Sequence, residues 1–160
     1  AKILVLLRDP VQRAYSHYQM GVRKGFERRS FDEILEIGMA SLEEHPGGFD
    51  PGPHATRAQR GPHTYLSRGL YADQLAPWME AFGDRLMVLF TQDVKQRPQE
   101  TYDQVLAFLG LPAHELEQEL KLTVQSYEPI PKKAEKRLRS FYKGPDERLA
   151  ALLGRPVPWQ

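Results

Sequence analysis

Residues 2–18 read KILVLLRDPVQRAYSHY, and this stretch decides the fold class. Residues 2–7 form a continuous apolar run, which is typical of a strand buried on both faces of a parallel sheet. Asp9 is a good N-cap and Pro10 suits the first helical position, so we predict a helix from about Pro10 to Lys24. A strand, a tight turn and a helix in this order are the βα unit of an α/β protein.

The rest of the chain predicts one more strand and more helices. Ser30 and Glu33 form a capping box that should open a helix ending near Glu44, and residues 45–63 are rich in Pro and Gly and predict a long loop. Further helices are expected over residues 71–82 (ended by Gly83), 98–109, 113–120, 132–142 and 146–153, and a strand over residues 85–90. In all, we predict two strands and about seven helices in a single domain.

Composition limits the possible functions. The chain has 160 residues and carries 22 Lys and Arg against 21 Asp and Glu, a net charge of +1, which argues against nucleic acid as a partner. The absence of cysteine excludes disulfides and thiolate metal sites. No apolar run approaches the roughly 18 residues that a membrane span needs. The histidines at positions 45, 54 and 63 match no compact metal motif, and His17 is predicted to lie on a helix surface.

The turn after the first strand has groups that can bind phosphate. Arg8 stands at the end of the strand, where a planar guanidinium can bind phosphate through two hydrogen bonds. Ser16 lies two turns into the helix, and Arg13 is a second cation in its first turns. The start of a helix offers backbone N–H groups and a positive dipole end to the same anion. The alternative is that Arg8 pairs with a nearby carboxylate.

A family resemblance favours phosphate binding by Arg8 over pairing with a carboxylate. Residues 5–18 resemble the signature LLRDPVxRAYSxY of the PAPS-dependent sulfotransferases, in which the Arg and the Ser, here Arg8 and Ser16, bind the 3′-phosphate of PAPS. Residues 68–82, 86–93, 108–112 and 141–159 resemble later segments of that family, in its heparan-sulfate-type and bacterial branch. The resemblance implies a P-loop-like α/β fold with a parallel sheet flanked by helices. It also implies PAPS as co-substrate without a metal.

Two family features are absent from these 160 residues. One is the P-K-x-G-T-T loop that holds the 5′-phosphosulfate, and the other is the segment that carries the catalytic base. We therefore expect the chain to be the C-terminal part of a larger domain that lacks its N-terminal strand and loop here, and we assign no catalytic residue. The family's basic loop at the 3′-phosphate corresponds loosely to residues 128–133, so Lys132 and Lys133 are further candidate ligands.

The expected function is transfer of a sulfuryl group from PAPS to a hydroxyl or amine of a carbohydrate or small metabolite. The alternative is a non-catalytic nucleotide-binding or structural remnant of the same fold. A nucleotide kinase relative is disfavoured, because the chain has no Walker A motif and residues 5–16 are not a kinase pattern. Arg57, Arg60 and Arg68 either recognise an anionic acceptor or are scattered surface charge. Oligomeric state and compartment are not predicted; a bacterial source would favour the cytoplasm.

Overall fold

The computed structural model describes residues 1–45, 63–117 and 127–159. Two compact units divide the chain: residues 1–8 with 76–126, and residues 9–75 with 127–160. The strands are β1 (Ile3–Leu7) and β2 (Leu86–Phe90). The helices are α1 (Pro10–Arg23), α2 (Phe31–Glu44), α3 (His63–Ser67), α4 (Tyr71–Phe82), α5 (Thr91–Gln96), α6 (Pro98–Leu109) and α7 (Lys132–Leu153), with a 3₁₀ turn at Gly83–Arg85.

In the first unit, β1 and β2 form a parallel two-stranded sheet. The register runs from Ile3 beside Leu86 to Leu7 beside Phe90. This confirms the expected parallel α/β arrangement, since parallel neighbours require a long crossover between them. The prediction that β1 is buried on both faces was wrong for the described residues. Leu4 and Leu6 are 44% and 55% exposed, whereas Leu7 on the opposite face is buried.

The segment that follows α6 differs from the prediction. Gly110 ends α6 with φ 77°, a left-handed conformation that glycine adopts readily. The acidic stretch predicted as a helix is irregular over residues 111–117, and its last three positions lie outside the described residues. The side chain of Gln99 donates to the carbonyl of His114 (3.1 Å) and accepts from the amide of Leu116 (2.8 Å). This side chain of α6 therefore supplies hydrogen bonds that a helix would have supplied itself.

In the second unit, α1 and α2 begin as their sequences predict. Asp9 is the N-cap of α1, and its carboxylate accepts from the amide of Val11. Ser30 and Glu33 form the reciprocal capping box of α2. The aromatic rings of Tyr15 and Phe31 join the two helices at a centroid distance of 4.9 Å. The core of this unit is contributed by α1–α3, the turn after α3 and α7: Val11, Ala14, Tyr15, Phe31, Ile34, Leu35, Leu42, Tyr65, Leu66, Leu70, Ala134, Leu138 and Tyr142.

Helix α7 is one continuous helix of 22 residues, where the sequence predicted two. It runs through Gly144 and Pro145, although an internal proline removes a hydrogen bond and costs about 3 kcal/mol. Leu138, Tyr142 and Leu149 lie on one face and are each at most 1% exposed. Burying each such side chain contributes about 1.5–3 kcal/mol, so the packed face outweighs the proline.

Tyr142 is the central polar contact of this core. Its hydroxyl donates to the carbonyl of Leu66 at 2.8 Å, which satisfies a backbone acceptor at the end of α3. Burial raises the pKa of Tyr142 well above its ordinary value, so the hydroxyl stays protonated and remains a donor. The ring leaves no space beside Gly69: a Cβ at that position would lie 2.7 Å from the Tyr142 oxygen.

The segment that follows α7 folds back and contacts α7 through Trp159. The indole N–H of Trp159 donates to Asp146 at 3.0 Å, and the Trp159 ring meets Tyr71 edge-on. Asp146 is only 5% exposed. Burial raises the pKa of Asp146 to about 6, and the charge of Asp9 acts in the same direction, while the Trp159 hydrogen bond and Arg139 oppose the rise.

Within the described ranges, no helix is long and apolar enough to cross a membrane.

We predict that Gly69→Ala destabilises the protein by about 1–3 kcal/mol, because the new methyl group overlaps the buried Tyr142 ring. Urea denaturation followed by circular dichroism measures the change. The matched control is Gly144→Ala, where the nearest heavy atom is 4.0 Å from the new Cβ. Because Pro145 crowds a preceding Cβ in helical backbone and offsets the helix preference of alanine, this control should change stability by less than about 1 kcal/mol. Equal effects of the two substitutions would contradict the packing.

We predict that Asp146→Asn stabilises the protein at pH 8 by about 1–3 kcal/mol. The folded-state pKa is raised from 3.8 to about 6, so the folded protein favours the protonated acid. The wild type therefore has its full stability from this group below pH 4 and loses it as the pH rises through 6. Asparagine still accepts from Trp159 but has no charge to bury.

Urea denaturation at pH 4.5 and pH 8 compares the two proteins, and the difference between them should shrink at the lower pH. Glu147→Gln, one residue further along α7 and exposed, is the control and should change stability by less than about 0.5 kcal/mol at either pH. A gap between Asp146→Asn and wild type that is the same at both pH values would contradict the buried-acid interpretation.

Candidate functional site

The junction between β1 and α1 has few amides available for an anion. Pro10, the first residue of α1, has no N–H. The amide of Val11 donates to the Asp9 carboxylate at 2.9 Å, and the amide of Arg13 donates to the Asp9 carbonyl at 2.9 Å. Asp9 also places its own negative charge at the positive end of the helix dipole. An anion at this turn would therefore meet fewer amides than an open helix start offers, and nearby side chains would contribute more to binding it.

A second group engages Asp9 from far along the chain. Arg139 of α7 donates through Nη1 to Oδ1 (3.0 Å) and through Nη2 to Oδ2 (2.6 Å) of Asp9. This is a bidentate pair, the stronger geometry for an arginine and a carboxylate. The same guanidinium lies 3.5 Å from the carbonyl of Trp159 and 3.7 Å from Glu135. Asp9 thus caps α1 and fastens it to α7 at once.

Two arginines in the first half of α7 form ion pairs with other helices or caps of the second unit. Arg139 pairs with Asp9, and Arg137 pairs with Glu36 of α2 at 2.6 Å. Lys132 and Lys133, the first two residues of α7, are exposed. Pro131, the N-cap, offers no side-chain cap, so the two lysines stand at the positive end of the helix, where Glu135 is the acidic residue of the first turn.

Ser16 and Arg13 lie on α1 in the second unit. Ser16 is half-buried and lies in the sequence between Tyr15, a core residue, and His17. The His17 ring meets the Tyr65 ring edge-on at a centroid distance of 4.6 Å. Arg13 donates through Nη2 to the carbonyl of Tyr65. Its Nε is buried and has no hydrogen-bond partner in the part of the chain that the structure describes.

The structure brings the chain segment that leads to Lys132 against α1. The rings of Tyr127 and Tyr15 meet edge-on at 5.7 Å, and the Tyr15 hydroxyl is 3.4 Å from the carbonyl of Pro129. Tyr15 is the neighbour of Ser16 in sequence. The residue of α1 that makes this contact is thus one position before Ser16 in the sequence, and Pro129 is three positions before Lys132.

Arg8 directly follows β1 and is the last residue of the first unit's N-terminal segment, whereas Ser16, Arg13, Lys132 and Lys133 belong to the second unit. Sequence reasoning missed Arg139. Its partner is 130 positions away, and no local pattern marks it.

The remaining candidates are the arginines and histidines in and around the predicted long loop. Arg57, Arg60 and His54 lie outside the described residues, and so does most of the predicted loop. Arg68 is exposed in the turn after α3. Among the residues that the structure describes, no group of histidine and acidic side chains could hold a metal ion.

Comparison with known proteins relates this chain to the sulfotransferases. The model of the sulfotransferase domain family matches residues 1–138. The mouse bifunctional heparan sulfate N-deacetylase/N-sulfotransferase 4 is 30% identical over 115 residues, which are 71% of this chain and 12% of that protein. Rat carbohydrate sulfotransferase 15 is 27% identical over 167 residues, covering 96% of this chain and 30% of the relative.

A crystal structure of a sulfotransferase from Alicyclobacillus acidocaldarius superposes with a TM-score of 0.71 at 26% identity. It covers 98% of this chain, which in turn covers 56% of that one. The chain thus spans about an eighth of the length of the heparan sulfate relatives and just over half of the bacterial structure. The family model covers well over half of the chain, and the fold agrees with it: the chain belongs to the sulfotransferase domain family.

Proposed function

We propose that this chain anchors the donor nucleotide of a PAPS-dependent sulfotransferase. The observation that carries the proposal is the strand, turn and helix of residues 3–23, with Arg8 directly after β1 and Ser16 two turns into α1. The match to the family model includes both residues. Arg8 and Ser16 are the ligands proposed for the 3′-phosphate of PAPS.

The chemistry of the two side chains suits that phosphate. A guanidinium presents two parallel N–H donors to two phosphate oxygens, and a serine hydroxyl adds a neutral donor. Because Pro10 has no N–H and the amides of Val11 and Arg13 donate to Asp9, these side chains would supply part of the recognition that backbone groups supply elsewhere. Lys132 and Lys133 are proposed as secondary ligands, supported by the uncapped start of α7. Arg13 is the weakest candidate, since it already donates to Tyr65.

In the proposed reaction, a hydroxyl or amine of the acceptor attacks the sulfur of PAPS in line with its bond to the phosphate oxygen. That bond breaks, adenosine 3′,5′-bisphosphate leaves, and the acceptor proton passes to a base. We assign neither the base nor the group that neutralises the leaving phosphate to residues of this chain. Its proposed part is to bind and orient the nucleotide by the phosphate remote from the sulfur, which holds the reacting end in place.

We propose a carbohydrate acceptor. The support is that the relatives named above carry heparan sulfate or carbohydrate in their names. The second candidate is a nucleotide-binding remnant without catalysis, which is favoured by the absence of a P-K-x-G-T-T stretch among these 160 residues. Both functions require the same 3′-phosphate site. An assay of sulfate transfer from PAPS by the full-length gene product distinguishes the two functions.

We predict that the chain binds adenosine 3′,5′-bisphosphate and that Arg8→Ala weakens this binding about 10- to 100-fold. A hydrogen bond to a charged group contributes about 1.5–3 kcal/mol, and 1.4 kcal/mol is a factor of ten. Ser16→Ala should weaken binding about 3- to 10-fold, since its hydroxyl is neutral. Isothermal titration calorimetry measures both effects.

Arg28→Ala, an exposed cation in the turn after α1, is the matched control and should bind like the wild type. Adenosine 5′-phosphate, which lacks the 3′-phosphate, should bind the wild type and Arg8→Ala equally. Wild-type binding that survives Arg8→Ala unchanged would show that the phosphate ligands are elsewhere.

A further inference from the structure

Positive charge is concentrated in one short segment of this chain. Residues 132–143, the first half of α7, contain four Lys, two Arg and one Glu, a formal charge of +5. The whole chain has a formal charge of +1, which leaves −4 for all the other residues together. A short basic segment in an otherwise acidic chain is typical of a surface that binds a polyanion.

The arginines of α7 are engaged within the second unit. Each of the three forms an ion pair with an acid from another segment of that unit: Arg137 with Glu36 (2.6 Å), Arg139 with Asp9 (2.6 Å) and Arg148 with Asp73 (3.6 Å). These guanidinium groups hold segments of the fold together. The arginines are therefore not the cations that we assign to a partner.

The lysines of the same segment differ from its arginines in both exposure and pairing. All four are exposed, and we call them the lysine stripe: Lys132, Lys133, Lys136 and Lys143. Within residues 1–45, 63–117 and 127–159, none of them donates a hydrogen bond or forms an ion pair. Their ammonium groups are therefore available to a partner in solution.

Helical geometry aligns these lysines. At about 100° per residue, Lys132, Lys136 and Lys143 fall within about 40° of one another around the axis of α7 and extend over about 16 Å of its length. Lys133 lies about 60° to one side. The opposite side of the helix carries Leu138, which is fully buried in the core. The stripe is thus a line of like charge on the solvent side of α7.

The acidic residues of α7 lie at the borders of the stripe. Glu135 is 3.7 Å from Arg139, on the side of the helix away from Lys133. Glu147 is exposed one turn after Lys143 and ends the stripe. Between Lys136 and Lys143, the exposed side chain on the same side is the neutral Ser140. A linear anion along the stripe would therefore meet four cations without a carboxylate among them.

The form of the stripe favours one class of polyanion. A helix that binds a membrane surface presents an apolar face beside its cations, whereas the apolar face of α7 is buried, with Leu138 and Tyr142 each at most 1% exposed. Single-stranded nucleic acid is bound by cations together with aromatic rings that stack on its bases, and the stripe has no aromatic side chain. A charged polysaccharide needs only cations spaced along a line.

We infer that the lysine stripe is a docking surface for an anionic polysaccharide, whose sulfate or carboxylate groups pair with the lysine ammonium groups. The inference deepens the proposed function and rests on its carbohydrate acceptor, since it makes that acceptor a charged chain and not a neutral sugar. Each exposed ion pair is weak and is screened by salt. Binding therefore requires several lysines and is strongest at low salt.

The test compares wild type with the double variant Lys136→Gln/Lys143→Gln for binding to a heparin oligosaccharide at low salt. Neither lysine is a proposed nucleotide ligand, so the result does not depend on the 3′-phosphate site. We expect about 5- to 30-fold weaker binding, because two exposed ion pairs are removed. Isothermal titration calorimetry measures the affinity, and circular dichroism verifies that the variant is folded.

The matched control is Lys24→Gln/Lys95→Gln, which makes the same change in net charge at two exposed lysines outside α7. It should bind the heparin oligosaccharide as the wild type does. Uncharged dextran should bind none of the three proteins. Added salt should reduce the difference between wild type and Lys136→Gln/Lys143→Gln, because screening weakens exposed ion pairs.

Several results would overturn the inference. Wild type that does not bind heparin, or equal losses in the two double variants, would leave the lysines as solvated charge. A DNA oligonucleotide and phosphatidylglycerol vesicles are titrated in parallel. Tighter binding of either than of heparin, lost in Lys136→Gln/Lys143→Gln, would assign the stripe to a nucleic acid or a membrane surface instead.

Titration with adenosine 3′,5′-bisphosphate separates this inference from the proposed donor site. Wild type that binds the bisphosphate but not heparin overturns the docking surface alone. Wild type that binds heparin through the stripe but not the bisphosphate overturns the proposed nucleotide site and leaves the docking surface in place.

Discussion

The carboxylate of Asp9 is the constraint on which the second unit depends. It caps α1 through the amide of Val11, and it holds Arg139 of α7 through two hydrogen bonds. These contacts join a helix near the start of the chain to one near its end. The cap fixes where α1 begins, and the ion pair joins it to the part of α7 that core packing brings beside it. The same residue therefore specifies local structure and long-range packing.

Helix α7, which binds Asp9 through Arg139, also packs into the core. Leu138 and Tyr142 enter the apolar cluster formed with α1, α2 and α3, while Arg137 reaches Glu36 at the edge. Further along, Asp146 receives the indole of Trp159 and so fastens the C-terminal segment. One helix thus contacts the N-terminal turn, the apolar core and the chain end, which explains why it continues through Pro145 at a local cost.

The electrostatics of the βα turn also follow from Asp9. Phosphate sites at helix starts usually rely on unpaired amides and the helix dipole. Here Pro10 has no N–H and the amide of Val11 is bound to Asp9. The Asp9 carboxylate itself repels an anion. The proposed phosphate ligands Arg8 and Ser16 are side chains, so their proposed role does not depend on these amides.

Local chemistry was enough to predict much of this fold. Apolar runs located both strands, Asp9 and Pro10 located the start of α1, the Ser30 box located α2, and Gly110 located the end of α6, because each signal acts within a few residues. The family signature is also local, and it predicts Arg8 and Ser16 as phosphate ligands. Nothing local could reveal that Gln99 would bind the backbone near His114, or that packing would carry α7 through Gly144 and Pro145. The pairing of Arg139 with Asp9 is of the same kind, since a charge 130 positions away finds its partner only after the core has brought the two helices together.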